Sequence, residues 1–483
     1  MKKILFTMLM LLPMVARAEI VEIDGIYYYI LSSDEVEVIQ GTNEYTGDVV
    51  IPETITYRNE VYKVARIGSY AFRGNRNLKS VSLPAGLSEI RYGAFQYCSS
   101  LTYMFIPQGV NYIYQQAFEG CSSLTTVLFY GRLERIEDSV FKDCTSLTSI
   151  VLPEGMWCIL PNAFRGCTSL SEIYIPKSMR QIFTDAFKDC TELKKVIISD
   201  IDSWCKISFS NVESNPLHYA HHLYKDNGTE IKEFILTNRG EYYLPCIKDY
   251  AFYDAEGIEK IYIICPDIPY IADNAFGKTC CTWTDLYVPA NRLNAYKDNN
   301  LWMKFKSISG YRIIADSIEY RLDYDSEITV VKNDDYLYSG DIVIPDSITF
   351  MGKTLRVTSV GTAFKDCTGL NSIVLPNSVK QIVSEAFRGC SGMTSVVIPQ
   401  NLTSINKLVF CGCSSLTSVN IPNSVTRIGT CAFYGCSSLT NITIPNSVNY
   451  IEESAFENCT GLTSLTIPNS VKYIGESAFS GCI

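Results

Sequence analysis

The chain has three histidines, and they form a single cluster near its middle. His218, His221 and His222 read H-x-x-H-H, and two imidazoles four residues apart on a helix can share a metal ion. The motif H-E-x-x-H is absent, and no acidic residue close in the sequence has the spacing of a catalytic base. We therefore interpret the cluster as part of an insertion and keep these histidines as a secondary candidate for a metal site.

Cysteine is the second residue type that could carry chemistry, but most of the 19 cysteines recur with a fixed period. Side chains stacked in register do not meet the geometry of a disulfide bridge, and a buried cysteine behaves as a small apolar residue. The periodic cysteines are therefore predicted to be free structural thiols, and the others, including vicinal Cys280 and Cys281, are better disulfide candidates. The periodic set comprises Cys98, Cys121, Cys144, Cys167, Cys190, Cys367, Cys390, Cys413, Cys436, Cys459 and Cys482.

The sequence predicts no catalytic residue and no cofactor. A G-x-S-x-G nucleophile elbow and a glycine-rich phosphate loop are both missing. Cysteine catalysis needs an exposed thiol beside a histidine, and Cys205 near His218 is the sole pair of this kind that is close in the sequence. An enzyme is thus the least favoured of the function classes.

The strongest signal is an internal repeat built around phenylalanine. An isoleucine lies five positions before each repeated phenylalanine except Phe364. In nine repeats a proline lies twelve positions after the phenylalanine. Two further anchors, Phe252 and Phe276, lie between the two series at irregular spacing. Within each series every step is 23 residues: Phe72, Phe95, Phe118, Phe141, Phe164 and Phe187, then Phe364, Phe387, Phe410, Phe433, Phe456 and Phe479.

The residues before the proline predict a short strand with one buried face. Leu170, Ile173 and Ile175 show the near-alternating apolar pattern, and proline ends the strand because it cannot donate to a ladder. One 23-residue unit cannot bury its own apolar face, so the units must stack. The sequence therefore predicts a leucine-rich-repeat solenoid with a β-rich parallel sheet and short helical turns.

The array is predicted to consist of two tandem modules, residues 19–310 and 311–483. Residues 24–52 match residues 316–345, and both segments alternate like the antiparallel strands of an N-terminal cap. In the first module we expect an enlarged coil at 201–250 and a C-terminal cap at 286–308, where Tyr296, Trp302 and Phe305 replace the repeat pattern. The second module shows no such cap, which suggests a truncated gene or an open end that self-associates.

The N-terminus predicts export. Residues 1–18 combine Lys2 and Lys3, a short apolar run and the cleavage site Ala16-Arg17-Ala18, which is typical of a signal peptide. We expect no integral membrane segment after its cleavage, because no later apolar run is long enough. The net charge of −10 becomes more negative when the signal is removed, and no basic stripe is visible, so nucleic acid is excluded as the expected partner.

The segment LTSLTIPNSVKYIGESAFSGC, which ends at Cys482, resembles the repeat of the BspA-like family of bacterial leucine-rich repeat proteins. The resemblance covers nearly all of the mature chain. It implies a secreted or surface-exposed protein, adhesin-like, that binds host matrix proteins, other cells, or a surface protein or glycan of host or bacterium. A structural, self-assembling surface protein is the alternative.

A binding face is predicted from the outward position of the strands. This position is apolar or aromatic in the first module and flanked by Tyr103 two residues earlier, which makes a patch larger than a soluble monomer usually exposes. Two alternatives are that such residues merely favour strands or that the enlarged coil covers them. The predicted face comprises Phe105, Leu128, Val151, Tyr174 and Ile197, whereas the second module has Val374, Val397, Asn420, Thr443 and Thr466 at this position and is predicted to be polar.

Overall fold

The computed structural model describes residues 19–237, 246–265, 268–323 and 326–482. The signal peptide predicted at 1–18 lies outside these residues. The chain divides into two compact units, and the module boundaries expected from the sequence remain predictions. The first unit comprises Met1–Ile263, Pro269–Tyr287 and Asn294–Ser309, and the second comprises Ile264–Ile268, Val288–Leu293 and Gly310–Ile483.

Each regular coil of the first unit contributes one long strand and one two-residue strand. Both kinds of strand pair with their equivalents in neighbouring coils, always in parallel. The long strands are Gly47–Val50, Leu78–Ser82, Tyr103–Ile106, Thr126–Phe129, Ser149–Val151, Glu172–Ile175, Lys195–Ile198 and Leu223–Lys225. The two-residue strands are Glu89–Ile90, Tyr112–Ile113, Arg135–Ile136, Cys158–Ile159, Gln181–Ile182 and Ser208–Phe209.

The second unit repeats this arrangement. Its long strands are Gly340–Val343, Leu370–Val374, Ser395–Val397, Ser418–Asn420 and Asn441–Thr443. Its two-residue strands are Gln381–Ile382, Ser404–Ile405, Arg427–Ile428, Tyr450–Ile451 and Tyr473–Ile474. The prediction of a solenoid of stacked coils with parallel strands is confirmed.

Both units begin with the same arrangement of strands. In each, three antiparallel strands lead through a hairpin to an eight-residue strand that pairs in parallel with the third strand. The first long strand of each unit also shifts register after its glycine, Gly47 or Gly340, whose φ is positive. The strands are Ile20–Ile23, Ile26–Ile30, Glu35–Ile39, Thr54–Tyr57 and Glu60–Ile67 in the first unit, and Ile313–Ala315, Ile318–Leu322, Glu327–Val331, Ser347–Phe350 and Lys353–Val360 in the second.

The core consists of columns of equivalent residues. Successive anchor phenylalanines stack almost in parallel, with ring centroids 5.0 Å apart for Phe72 and Phe95 and 5.6 Å apart for Phe118 and Phe141. The isoleucine that precedes them by five residues is buried in the same way, as at Ile90. Burial of these columns against neighbouring coils is the main stabilising term that the repeat provides.

The periodic cysteines line the next column and are free thiols. Most of them donate a hydrogen bond to the carbonyl of the anchor phenylalanine in the preceding coil. The Sγ–O distance is 2.9 Å from Cys98 to Phe72 and 3.3 Å from Cys482 to Phe456. The thiol thus adds a second hydrogen bond to a carbonyl that already accepts from the main chain, as the carbonyl of Phe72 does from the amide of Asn75 at 3.2 Å.

The enlarged coil is a solenoid coil of 27 residues. Phe209 pairs with Ile182 and Leu223 pairs with Val196, so the coil stays in the ladder despite its extra residues. Trp204 is buried here, and its Nε1 donates to the carbonyl of Ala251 at 2.9 Å. Its regular elements are the helices Ile201–Cys205 and Leu217–Ala220 and the 3-10 turn Val212–Ser214.

The segment expected to close the first module buries three aromatic side chains. Phe305 packs edge-on against Phe276 with ring centroids 5.1 Å apart, and Trp302 Nε1 donates to the carbonyl of Pro269 at 3.2 Å. Tyr296 is also fully buried. Around this segment lie the strands Glu233–Thr237, Lys260–Ile264, Asp285–Pro289 and Ser307–Tyr311, the helices Lys278–Trp283 and Leu293–Lys297, and the 3-10 turns Ala290–Arg292 and Trp302–Lys304.

Candidate binding surface

The long strands of the first unit present one continuous column of outward side chains. Each strand buries alternate residues, as in Tyr103–Ile106, where Met104 and Ile106 are buried and the other two are exposed. Parallel pairing places Phe105 beside Leu128, and it places Tyr174 between Val151 and Ile197. The sequence-predicted residues therefore occupy the same outward strand position in five successive coils, two of them in one sheet and three in the next.

The column is open to solvent along much of its length. Phe105 is 45% exposed, Leu128 42% and Val151 65%. Tyr103 extends the exposed surface sideways, because its ring centroid lies 5.2 Å from that of Phe105. The face is therefore a contiguous apolar and aromatic surface, and such patches are typical of interaction sites.

The far end of the column is partly covered by its own neighbours. Tyr174 is half-buried, and its hydroxyl donates to Glu154 Oε1 at 2.8 Å and lies 3.0 Å from Ser199 Oγ. Burial is the main reason why the pKa of Tyr174 is raised. Ile197 is also half-buried. Tyr174 thus presents a fixed aromatic ring rather than a mobile one.

The enlarged coil extends this face instead of folding over it. Its strand Leu223–Lys225 continues the sheet, so that Tyr224 pairs with Ile197 in the outward column. The Lys195 ammonium lies 5.7 Å from the centre of the Tyr224 ring. Val151 remains mostly exposed, so this coil does not cover the middle of the column.

Sequence reasoning missed two aromatic residues on this side. Tyr224 was hidden because the longer coil breaks the 23-residue register. Tyr130 lies two residues beyond Leu128 and is largely exposed. It stands where most repeats have proline, and this exception to the repeat pattern was the signal that could have identified it.

The corresponding column of the second unit is less polar than expected. It begins with three exposed valines, Val343, Val374 and Val397. The polar residues expected in this column, Asn420, Thr443 and Thr466, follow the valines and are exposed. The contrast between the two units therefore lies in the aromatic residues, which the second column lacks.

The three histidines do not converge on a common point. His218 Nδ1 lies 2.7 Å from Asp254 Oδ2, and His222 Nδ1 lies 2.7 Å from Glu230 Oε1. The helix Leu217–Ala220 ends before His221, so His218 and His222 do not share a helical face and the geometry expected for a shared metal ion is wrong. No group of three or more His, Cys, Asp or Glu residues is arranged for a metal ion within the ranges described above.

The hydrogen bond to Asp254 raises the pKa of His218, and the nearby Glu213 acts in the same direction. Asp254 is 36 residues away in the sequence, which is why spacing could not identify it. The pairing makes His218 an electrostatic link between the enlarged coil and the coil that follows.

Cys205 does not form the catalytic pair considered from the sequence. Its side chain is buried, and burial holds the pKa of its thiol well above the ordinary value, which disfavours the reactive thiolate. The neighbours that influence the pKa of the Cys205 thiol include Cys246 and Asp202. His218 pairs instead with Asp254 and Glu213.

Membrane insertion through a helix has no support in the described ranges, where no helix is long and apolar enough to cross a bilayer. Four segments match the sequence model of a family described as BspA type leucine rich repeat region, with six copies. The matched segments, 52–159, 134–238, 222–309 and 360–483, cover well over half of the chain. No curated protein matches the chain at a significant level.

Three solved structures illustrate the similarity. A leucine rich cell surface protein from Faecalibacterium prausnitzii A2-165 has 22% identity and a TM-score of 0.36, with 95% of this chain and 96% of that chain covered. A leucine-rich repeat protein from Bacteroides ovatus ATCC 8483 has 25% identity and a TM-score of 0.34, with 96% and 92% covered. The T. pallidum leucine rich repeat protein has 28% identity and a TM-score of 0.33, with 37% and 78% covered.

Proposed function

The chain belongs to the BspA-type leucine-rich repeat family, and from this premise we propose that it is a surface protein that binds a protein partner. The binding face is the outward column of the first unit, from Phe105 to Tyr224. Proteins of this family are bacterial surface proteins, and the signal-like residues 1–18 support export of this chain. The proposal involves no catalytic step.

The observation that carries the proposal is the exposed run of Phe105, Leu128 and Val151, which lie at the same strand position in three successive coils. Apolar side chains on a strand surface gain free energy when a partner removes them from water, by about 25 cal/mol per Å². Aromatic residues are the side chains that most often anchor protein interfaces, and Tyr174 and Phe105 supply two of them.

The class of partner follows from the shape and composition of the face. The sheet forms a long, open surface without a deep chemical pocket, so it suits a macromolecule. Its aliphatic centre, Leu128 and Val151, favours a partner with an apolar surface of its own. For a surface protein of a bacterium, an adhesin-like role toward a host matrix protein or another cell is the function that this face supports best.

The experiment compares two double variants of the mature chain for binding to immobilised matrix proteins. Phe105→Ser with Tyr174→Ser should keep the fold and weaken binding by about a hundredfold, because two anchors at about 1 to 2 kcal/mol each are lost. Val374→Ser with Val397→Ser, at the same strand position in the second unit, is the matched control and should bind like the wild type.

Undiminished binding by the first variant would remove this face from consideration. If the wild-type chain bound no matrix protein and instead formed polymers with increasing concentration, as measured by light scattering, the adhesin-like role would give way to self-assembly.

A further inference from the structure

One tyrosine stands at a backbone position that the other coils give to small residues. The residue two positions after the anchor phenylalanine adopts a left-handed conformation, with φ of 61° at Tyr97. Bulky residues adopt this conformation at other places in the array, as Tyr70 and Leu408 do, so Tyr97 is distinguished by standing in a column that otherwise holds glycine, aspartate or asparagine. The equivalent residues are Gly74, Gly120, Asp143, Gly166, Asp189, Asp366, Gly389, Gly412, Gly435, Asn458 and Gly481.

The ring of Tyr97 lies against the backbone of the next coil. A Cβ atom at Gly120 would collide with the Cδ1 and Cε1 side of this ring, so glycine is needed there for the ring to pack closely. Tyr97 nevertheless remains 44% exposed. The ring is therefore supported by protein on one side and open to solvent on the other.

A row of hydrogen-bonding side chains runs beside the ring across three coils. Glu119 accepts from Gln96 Nε2 at 2.7 Å and from Lys142 Nζ at 2.8 Å. The main chain ties Tyr97 to this row, because its amide donates to the carbonyl of Glu119 at 2.7 Å and the amide of Gly120, beneath its ring, donates to the carbonyl of Lys142 at 2.8 Å. Lys142 is the solvent-facing member of the row, and Glu119 is buried.

The row has an unused acceptor. Gln96 is only 5% exposed, and its Oε1 has no hydrogen-bond partner in the described part of the chain. Exchanging the oxygen and nitrogen of the Gln96 amide would not remove the unpaired acceptor, because the oxygen would then face the Glu119 carboxylate. An unsatisfied buried acceptor is unfavourable, and a hydroxyl donor that reached it after a small side-chain movement would satisfy it.

We propose that Tyr97, with Lys142 and the Gln96–Glu119 pair beside it, binds one sugar residue of a glycan. The apolar face of a pyranose carries polarised C–H bonds that pack on the negative face of an aromatic ring. Its ring hydroxyls both donate and accept, which matches a carboxylate, an ammonium group and an amide in a row. The site is too small for a protein interface, which buries roughly 800 Å² on each partner.

This sugar site is separate from the outward column of long strands. Its residues come from the turns that follow the anchor phenylalanines, whereas Phe105 and Tyr174 lie on the sheet. The two sites can therefore be inactivated independently, and each proposal can fail without the other.

The test uses the mature chain on a microarray of defined oligosaccharides, followed by titration calorimetry with the strongest binder. Tyr97→Gly places at this position the residue that other coils already have, so it should keep the circular dichroism spectrum and a cooperative unfolding transition. It should also weaken sugar binding by about tenfold or more. Tyr97→Phe should retain most of the affinity, because the ring provides the stacking surface.

Two controls make the result decisive. Asp366→Gly changes the equivalent position in the second unit, where Asp366 covers Gly389 as Tyr97 covers Gly120, and it should bind sugar like the wild type. Phe105→Ser with Tyr174→Ser should also keep sugar binding. The proposal is overturned if the wild-type chain binds no oligosaccharide, if Tyr97→Gly binds as tightly as the wild type, or if this variant loses a protein partner instead.

Discussion

The anchor phenylalanine is among the largest side chains that the protein buries completely. Phe118 is fully buried, and its ring lies 5.2 Å from that of Phe95 and 5.6 Å from that of Phe141. Phe118→Ala should therefore lower the free energy of unfolding by about 3 to 5 kcal/mol. Urea denaturation of the purified variant measures this loss, and an unchanged midpoint would show that the column does not carry the core.

The periodic thiols are predicted to stay reduced in the folded protein. Burial raises the pKa of Cys98 to about 12, so the reactive thiolate is scarce at neutral pH, and the thiol is already engaged with the carbonyl of Phe72. Thiol counting after denaturation without reductant should find nearly all eleven. A count below about eight would contradict the view that these cysteines act as small buried residues.

The same positions show what residue patterns could and could not reveal. The 23-residue step predicted that the periodic cysteines are buried, which holds for all of them except Cys482, because equivalent residues must occupy equivalent places in stacked coils. It could not predict that the thiol donates to the carbonyl of the preceding phenylalanine, since that depends on the local turn geometry. The contact of Gln96 with Glu119 differs in this respect, because the two residues are one repeat apart and the 23-residue step could have placed them side by side.

At the scale of the coil, the strands before proline and the buried columns could be predicted, whereas the second set of strands could not. The two-residue strands, such as Glu89–Ile90, are too short to give an alternating pattern. The enlarged coil was recognised only as a loss of register. Its four extra residues let Phe209 replace the usual isoleucine in the ladder, so the apolar pattern persists with different residue types.

The enlarged coil also contains a histidine, His218, whose contribution to the free energy of unfolding depends on pH. His218 has a raised pKa because it bonds to Asp254, so its stabilising contribution is complete below its unfolded value of 6.5 and is lost as pH rises through the raised value. His218→Gln should therefore be less stable than the wild type at pH about 5.5, and the difference should shrink at pH about 8.5.

Urea midpoints of both proteins at the two pH values measure this link. The groups that face His218 are Asp254, Glu213 and Tyr219, whose ring packs edge-on against the imidazole. A difference between the two proteins that stays constant with pH would mean that His218 contributes by packing alone.

At the scale of the whole molecule, the long-range order of the array comes from contacts between neighbouring coils. The free energy of unfolding of such an array is roughly the sum of contributions from each coil and from each interface between neighbouring coils. A destabilising substitution therefore affects only the coils that are stacked continuously with it. The first unit has its own strands at the start, from Ile20–Ile23 onward, and its own phenylalanine column. The second unit has an equivalent set beginning at Ile313–Ala315, with a column from Phe364.

The last prediction follows from this separation of columns. Phe118→Ala should increase hydrogen exchange at backbone amides of the neighbouring coils, because the cavity weakens both interfaces of the coil that contains it. Amides of the second unit between Phe364 and Phe456 should keep their wild-type protection, and Phe410→Ala should give the reciprocal pattern. Hydrogen exchange with mass spectrometry on both variants measures this. Lost protection throughout both units in either variant would show that the two columns unfold as one cooperative structure.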